Sequence, residues 1–306
     1  MGKMVFYKIE QDLKKCLEVG DYTGDLVSLV SEQEFKQMIK KGIVDENIAP
    51  KYKNAKCCKA SVRRDSISGV MSVISKDKKM ERTNFGFIFK KNSILFINAE
   101  EKVASWINKM YKDKFHGSFN VARFLYDFLE TVIDKDLRYV EELSDRAIKM
   151  ESAVVKGILD SFNERMGLFR KELIVFYRYY TQLVDIGQEL QENENSFFDE
   201  ESIALFEKFT TRAEKLREEI RLLMDISGEV RDAYRGKLDA KQNKNMNMLT
   251  IITTLCMPLT ITCAWYGMNF NSMPEFDWKY GYLAFFGLNI CLLLLGFLFL
   301  KKKKIM

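Results

Sequence analysis

The sequence predicts an α+β cytoplasmic domain followed by a long helical stalk and two C-terminal transmembrane helices. Three observations carry that reading. Charge is segregated: 30 % of the 306 residues are charged, yet residues 246–266 and 282–300 carry no charge at all. At about 1.5 Å rise per residue, each stretch can cross a hydrocarbon core roughly 30 Å thick. A 3.5-residue apolar repeat precedes the first stretch, and a strand-like alternation marks residues 84–98. A purely soluble enzyme, a many-span carrier and a disordered chain are excluded by the same pattern.

Residues 1–118 mix strand and helix signals and form the α/β domain. Residues 5–9 are a short strand candidate. Residues 31–41 read as a helix opened by Ser31, with Glu34 three positions on to complete a capping box. In 84–98, Phe85, Phe87 and Phe89 alternate with Gly86 and Ile88, residues 90–92 turn the chain, and Ile94 to Ile97 return. Residues 66–75 are a weaker strand, and the sheet is expected to be antiparallel or mixed. The domain carries no Gly-rich phosphate loop, nucleophile elbow or kinase signature.

From 119 to 198 the pattern is helical and free of proline. Phe124, Phe128, Val132, Ile133, Leu137, Val140, Leu143 and Ala147 recur at three- and four-residue steps, and a second helix runs through Leu173, Phe176, Tyr180 and Leu183. Residues 188–198 are the expected connection, with Asp199 as the next N-cap. Then Phe206, Phe209, Ala213, Leu216, Ile220, Leu223, Ser227, Val230 and Tyr234 alternate steps of three and four, the seam of helices packed almost parallel. One helix is expected over 199–266, on the order of 100 Å long. So long a stripe points to a stalk of several copies, because a small monomer cannot bury it.

Within the first span a second stripe keeps that period: Asn243, Met246, Thr250, Thr253, Met257, Thr260, Ala264 and Gly267. This face is polar or small, while Ile251, Ile252, Leu255, Leu259 and Ile261 hold the others. Threonines can bond their own helix backbone, and small faces pack helix on helix. A face lining water is the alternative, and copies around an axis would then enclose a narrow pore. Pro258 is tolerable where threonine or water meets the freed carbonyl.

Basic residues set the expected orientation. Arg235, Lys237, Lys241 and Lys244 precede the first span, and Lys301 to Lys304 follow the second. The loop 269–280 holds Glu275 and Asp277 against Lys279. Both termini are therefore expected in the cytoplasm, with 281–300 as the second span and 301–306 a basic tail. Residues 1–15 lack the apolar core of a signal peptide, and Phe6 at the sixth position argues against myristoylation, so a plasma (inner) membrane location follows. The net charge of +5 is modest and mixed, giving no nucleic-acid footprint. Six scattered cysteines with one histidine, His116, make a zinc site unexpected.

Gly267-Met268-Asn269 at the outer end of the first span, followed by Met273-Pro274-Glu275 and a lysine tail, resembles the CorA family of divalent-cation channels, often called magnesium transporters. The likeness is specific over about 230–304. It implies a funnel-shaped homopentamer conducting Mg2+, with cobalt or nickel as further cargo and no organic cofactor. Gly267, Met268 and Asn269 match the family's selectivity filter. Asn243, Met246, Leu249, Met257 and Thr260 match its pore lining, with Thr253 and Ala264 on the same stripe. Met246 and Leu249 would form the hydrophobic constriction. Asp232 matches a carboxylate near the inner entrance, and Glu275 the glutamate of the outer loop. Ala264 stands where relatives commonly have glycine.

Magnesium gives up its water reluctantly, so a neutral collar of oxygens can recognise the hydrated ion. The Asn269 amide and the Gly267 carbonyl would supply the oxygens that face the metal, while Glu275 and Asp277 raise the local cation concentration. The resemblance also implies regulatory Mg2+ bound between cytoplasmic domains. Asp25, Asp65, Asp77, Glu100, Glu101 and Asp199 are candidate carboxylates, none singled out. A zinc, cobalt or nickel transporter of the same family, a membrane-anchored coiled-coil scaffold and a membrane-bound enzyme are the competing readings. No enzyme activity is expected.

Overall fold

The computed structural model describes residues 5–9, 13–16, 25–76, 80–98, 102–113, 120–158, 160–268, 273 and 278–302. The chain divides into two compact units, Met1–Val155 with Asp160–Glu229, and Lys156–Leu159 with Val230–Met306.

The first unit is built on a seven-stranded sheet. Strands β1 (Val5–Ile9), β2 (Leu13–Cys16), β3 (Leu26–Val30), β4 (Lys59–Arg63), β5 (Ser66–Ile74), β6 (Arg82–Lys90) and β7 (Ser93–Ile97) lie in the order β2-β1-β3-β7-β6-β5-β4. Every pairing is antiparallel except β3 with β7, where Leu26 to Val30 run parallel to Ser93 to Ile97. The alternation of residues 84–98 gives the β6–β7 hairpin, registered Gly86 to Ile97 and Phe87 to Phe96. The expected strands at 5–9 and 66–75 are present. β3 escapes a period-two search because a strand covered on both faces reads as a plain apolar run, and the edge strand β4 escapes it because only the small Ala60 and Val62 alternate with its polar residues.

The pleat of β6 sorts its side chains to two layers. Ile88 joins Val30, Ile97, Phe35, Val44 and Tyr52 in one buried cluster. That layer is the helix α1 (Glu32–Lys40), whose capping box is complete: Ser31 Oγ accepts from Glu34 N, and Glu34 accepts from Ser31 N at 2.8 Å. On the opposite face Phe85 meets Phe96, Trp106 and Phe128 edge-on, at centroid separations of 6.0, 6.1 and 6.0 Å. Those partners come from β7, α2 (Lys102–Asp113) and α3 (Val121–Ile133).

The helical region holds three helices where two were expected. α3 ends at Ile133 and α4 (Asp136–Val155) restarts the phase, so that Tyr139 and Val140 turn inward and Leu137 is left 60 % exposed. α5 (Phe162–Glu192) extends past the expected connection, and the turn is confined to residues 193–199. Asn193 closes it with a left-handed backbone, φ 47°, its side chain bonding both the N–H and the carbonyl of Phe198.

α6 (Glu200–Tyr266) is one continuous helix, opened by Asp199 Oδ1 on the Ser202 N–H at 2.9 Å. Its 3.5-residue seam is buried within the protomer: Phe206, Phe209, Ala213 and Ile220 are all 0 % exposed. α5 supplies the antiparallel cover in its own unit. Arg170 reaches Ser227, a β-carbon at Gly187 would strike Thr210, and Gln191 bonds the Phe206 carbonyl, so equal steps up one helix match equal steps down the other. The seam is therefore an intrachain one and gives no count of copies, which corrects the argument from stripe length. α7 (Gly281–Lys302) is the second apolar helix, with mean hydropathy 2.6 against 1.6 for the apolar window of α6.

Candidate functional site

The second unit places α6 against α7 in antiparallel register. Leu255 meets Gly296, where an added β-carbon would sit 3.2 Å from the leucine. Thr262 Oγ1 donates to Asn289 Oδ1 at 2.6 Å, and Tyr266 stacks edge-on with Phe285 at 5.0 Å between centroids. The seven residues from Leu255 to Thr262 match the seven from Gly296 to Asn289, and the next four match four. Leu300, one turn beyond Gly296, is buried.

This contact fixes which side of α6 is left over. At about 100° per residue, Leu255, Thr262 and Tyr266 centre about 160° away from the stripe Thr253, Met257, Thr260, Ala264 and Gly267. The stripe is accordingly exposed throughout the described residues, as are Asn243, Met246, Leu249 and Thr250 below it. Met246 is 53 %, Leu249 54 % and Met257 65 % exposed. The stripe expected from the sequence lies on the side that the second helix does not use, along with Ile252, Ile261 and Trp265, which are exposed too.

The threonines bond their own helix, as one of the two sequence readings required. Thr250 donates to the Met246 carbonyl at 2.9 Å, Thr253 has the Leu249 and Thr250 carbonyls at 2.9 and 3.1 Å, and Thr260 donates to Cys256 at 3.0 Å. A hydroxyl has one proton and two lone pairs. With the proton committed inward, each hydroxyl offers the outside only an acceptor. A hydrated cation presents water protons, so an acceptor-only surface suits it, and the two readings of the stripe are compatible.

At the upper end, Gly267 N–H lies 3.0 Å from the Cys263 carbonyl and 3.2 Å from that of Ala264, and Met268 N–H lies 3.3 Å from Trp265. A β-carbon on Gly267 would sit 3.2 Å from the Cys263 carbonyl oxygen, so glycine lets the last turn close tightly. Asn269, Glu275 and Asp277 lie outside the described residues. Asp232 is exposed, with Arg231 and Arg235 nitrogens at 3.8 and 3.7 Å.

Of the regulatory candidates, Asp77, Glu100 and Glu101 lie outside the described residues, and Asp65 is an exposed turn residue. Asp25 and Asp199 line one cavity of about 190 Å³ with Lys91, Asn92 and Ser202. Each already serves a helix start: Asp25 accepts from Val121 N at 3.1 Å and Asp199 from Ser202 N. Burial pushes the Asp25 carboxyl above its ordinary range, while the bonds to Ser202 hold Asp199 below it. Among the described residues no three His, Cys, Asp or Glu side chains are grouped to hold a metal.

Asn289 and Gly296 were missed by the sequence reading. A lone amide inside an apolar span is itself a signal, since a polar group there needs a partner.

The model of the CorA-like Mg2+ transporter family matches residues 21–303. The cobalt/magnesium transport protein CorA of Thermotoga maritima is 23 % identical over 244 residues, covering 77 % of this chain and 69 % of that protein. The magnesium transport protein CorA of Bacillus subtilis is 30 % identical over 169 residues, covering 54 % of this chain and 51 % of that protein, so the chain spans about half of that relative. In fold, the CorA magnesium transporter of Methanocaldococcus jannaschii superposes with a TM-score of 0.80 at 18 % identity, covering 98 % of each chain.

Proposed function

The chain belongs to the CorA-like Mg2+ transporter family, and from that premise we propose that it is a channel conducting hydrated Mg2+ into the cytoplasm. The single observation that supports the reading best is the outward stripe of α6. It faces away from α7, offers acceptor oxygens at Thr250, Thr253 and Thr260, and leads to Gly267 and Met268.

In this reading five copies surround an axis, each giving Asn243, Met246, Leu249, Thr253, Met257, Thr260 and Ala264 to the pore wall. Met246 and Leu249 close the pore by expelling water. Gly267, Met268 and Asn269 form the outer filter, where carbonyl and amide oxygens accept from the ion's water shell. Neutral oxygens let the ion leave again, which a ring of carboxylates would slow. Glu275 and Asp277 gather cations outside, and Asp232 attracts them at the inner mouth. Residues 1–245 and 301–306 lie in the cytoplasm, in keeping with the basic residues at those span ends. The membrane potential then drives uptake with about 4.6 kcal/mol per divalent ion at 100 mV, from roughly 2.3 per charge. Cytosolic Mg2+ held by the soluble domains shuts the channel.

The test is ion flux into liposomes holding the purified protein and a magnesium-sensitive dye, for the wild type and Asn269→Ala, with zinc and cobalt as competitors. Uptake that depends on Asn269 and slows as internal Mg2+ rises supports both the channel and its feedback. Uptake of zinc but not magnesium transfers the reading to a zinc transporter. No flux of any divalent ion from folded oligomers returns the protein to a scaffold role.

A further inference from the structure

The inward face of α7 consists of Gly281, Phe285, Asn289, Leu292, Gly296 and Leu300, the positions withdrawn from solvent along an otherwise exposed helix. Asn289 is the only amide among them. In lipid, two apolar helices gain little from any particular rotation, since tails and side chains are equally apolar. A hydrogen bond is directional, and a turn of one residue, about 100°, carries a side chain wholly out of reach.

We propose that Asn289, acting through Thr262, is the positioning residue that sets the rotation of α6 about its own axis and so aims the pore stripe and the Gly267 carbonyl. Asn289 Nδ2 donates to the Phe285 carbonyl of its own helix at 2.8 Å, which fixes the amide plane. Its Oδ1 is thereby left toward α6, where the Thr262 hydroxyl lies 2.6 Å away, with the Leu259 carbonyl at 2.9 Å as a second acceptor for the same proton. Thr262 stands five residues before Gly267 and on the far side of the helix from the stripe. Any roll of α6 that moves the filter must therefore break this bond. The glycine contact at Leu255 limits how closely the helices approach, and the ring contact at Tyr266 tolerates sliding. Of these three contacts, the amide bond is the one that specifies rotation.

This inference rests on the channel reading, and one experiment separates the two. Mg2+ uptake and the ratio of Mg2+ to Na+ uptake are measured in liposomes for wild type, Thr262→Val, Thr262→Ser, Asn289→Leu and the double variant Thr262→Val/Asn289→Leu, alongside thermal melts of the same oligomers. The expected result is a loss of discrimination of about three- to tenfold in Thr262→Val and in Asn289→Leu, with Thr262→Ser close to wild type. Replacing both partners by apolar groups of similar shape restores the melting temperature. Discrimination stays low in that double variant, because packing returns without direction. Discrimination that is unchanged in Thr262→Val and Asn289→Leu, or that recovers together with the melting temperature in the double variant, overturns the inference while the channel stands. A wild type that conducts no divalent ion overturns both.

Discussion

Lys76 Nζ lies 2.5 Å from Oδ1 of Asp136, a carboxylate whose side chain has no exposed surface. The lysine sits just past the end of β5 and the aspartate at the first turn of α4, so the pair ties the sheet to the helical layer. Tyr180 donates to Oδ2 at 3.1 Å. Burial pushes the Asp136 carboxyl above its ordinary range, and Lys76 and Tyr180 pull against that.

Removing the lysine strands the buried carboxylate, so Lys76→Met is expected to cost about 3–5 kcal/mol, and Lys76→Met/Asp136→Leu to recover most of it. Lys76→Met also has a pH signature. A carboxyl whose folded-state pKa is raised binds its proton more tightly in the folded protein, so stability falls as pH rises from the unfolded value through the folded one. Without the lysine the rise is larger, and the variant is expected to lose stability more steeply than wild type as pH climbs from the ordinary carboxylate value toward neutrality. Thermal melts across that range check the slope.

Asp199 works in the opposite sense. Its bonds to Ser202 hold its pKa below the ordinary carboxylate range of 3.8. Its contribution is therefore complete above the unfolded value and lost as pH falls through the folded one. Asp199→Ala is expected to cost about 1 kcal/mol at neutral pH. Asp199→Asn keeps the acceptor for the Ser202 N–H and removes the acid-side loss. Melting temperatures at pH 3 and pH 6 for the three proteins separate the cap from the charge.

Gly296 and Gly287 of α7 predict unlike outcomes. A β-carbon at Gly296 meets the flexible end of Leu255 at 3.2 Å, whereas one at Gly287 meets nothing within 4 Å. Gly296→Leu is expected to force the helices apart at a cost of about 1–3 kcal/mol, and Gly287→Ala to be neutral or slightly stabilising. Melting of the solubilised oligomer, followed by size-exclusion chromatography, reports both.

Periodicity made much of this legible. The spacing of Phe85, Phe87 and Phe89 delivered the β6–β7 hairpin, and the Ser31–Glu34 pair the capped α1. The stripe from Asn243 to Gly267 was visible because its small and polar residues keep helical phase within an otherwise apolar span. What periodicity could not show was the partner of a stripe. The Phe206–Tyr234 seam has the form of a contact between copies, yet Phe206, Phe209, Ala213 and Ile220 are buried in one protomer. A seam records that something packs there, not whether it belongs to the same chain. Nor could it show Asn289, a single residue whose meaning depends on Thr262 lying opposite.

The acceptor character of the stripe gives the last prediction. Thr260 commits its proton to the Cys256 carbonyl at 3.0 Å, leaving lone pairs outward. Thr260→Val keeps the shape and removes the acceptor, so Mg2+ flux in liposomes is expected to fall about fivefold or more if that oxygen helps hold the ion's water shell. Thr260→Ser retains the hydroxyl and its back-bond, and is expected to conduct within about twofold of wild type. Leu283, 72 % exposed on α7, serves as the lipid-facing control, where Leu283→Val leaves flux unchanged. A loss confined to Thr260→Val assigns the effect to the hydroxyl oxygen. An equal loss in Thr260→Ser, which keeps the hydroxyl, would take the effect away from the oxygen and assign it to the shape of the side chain, and thus to packing between copies instead of contact with hydrated magnesium.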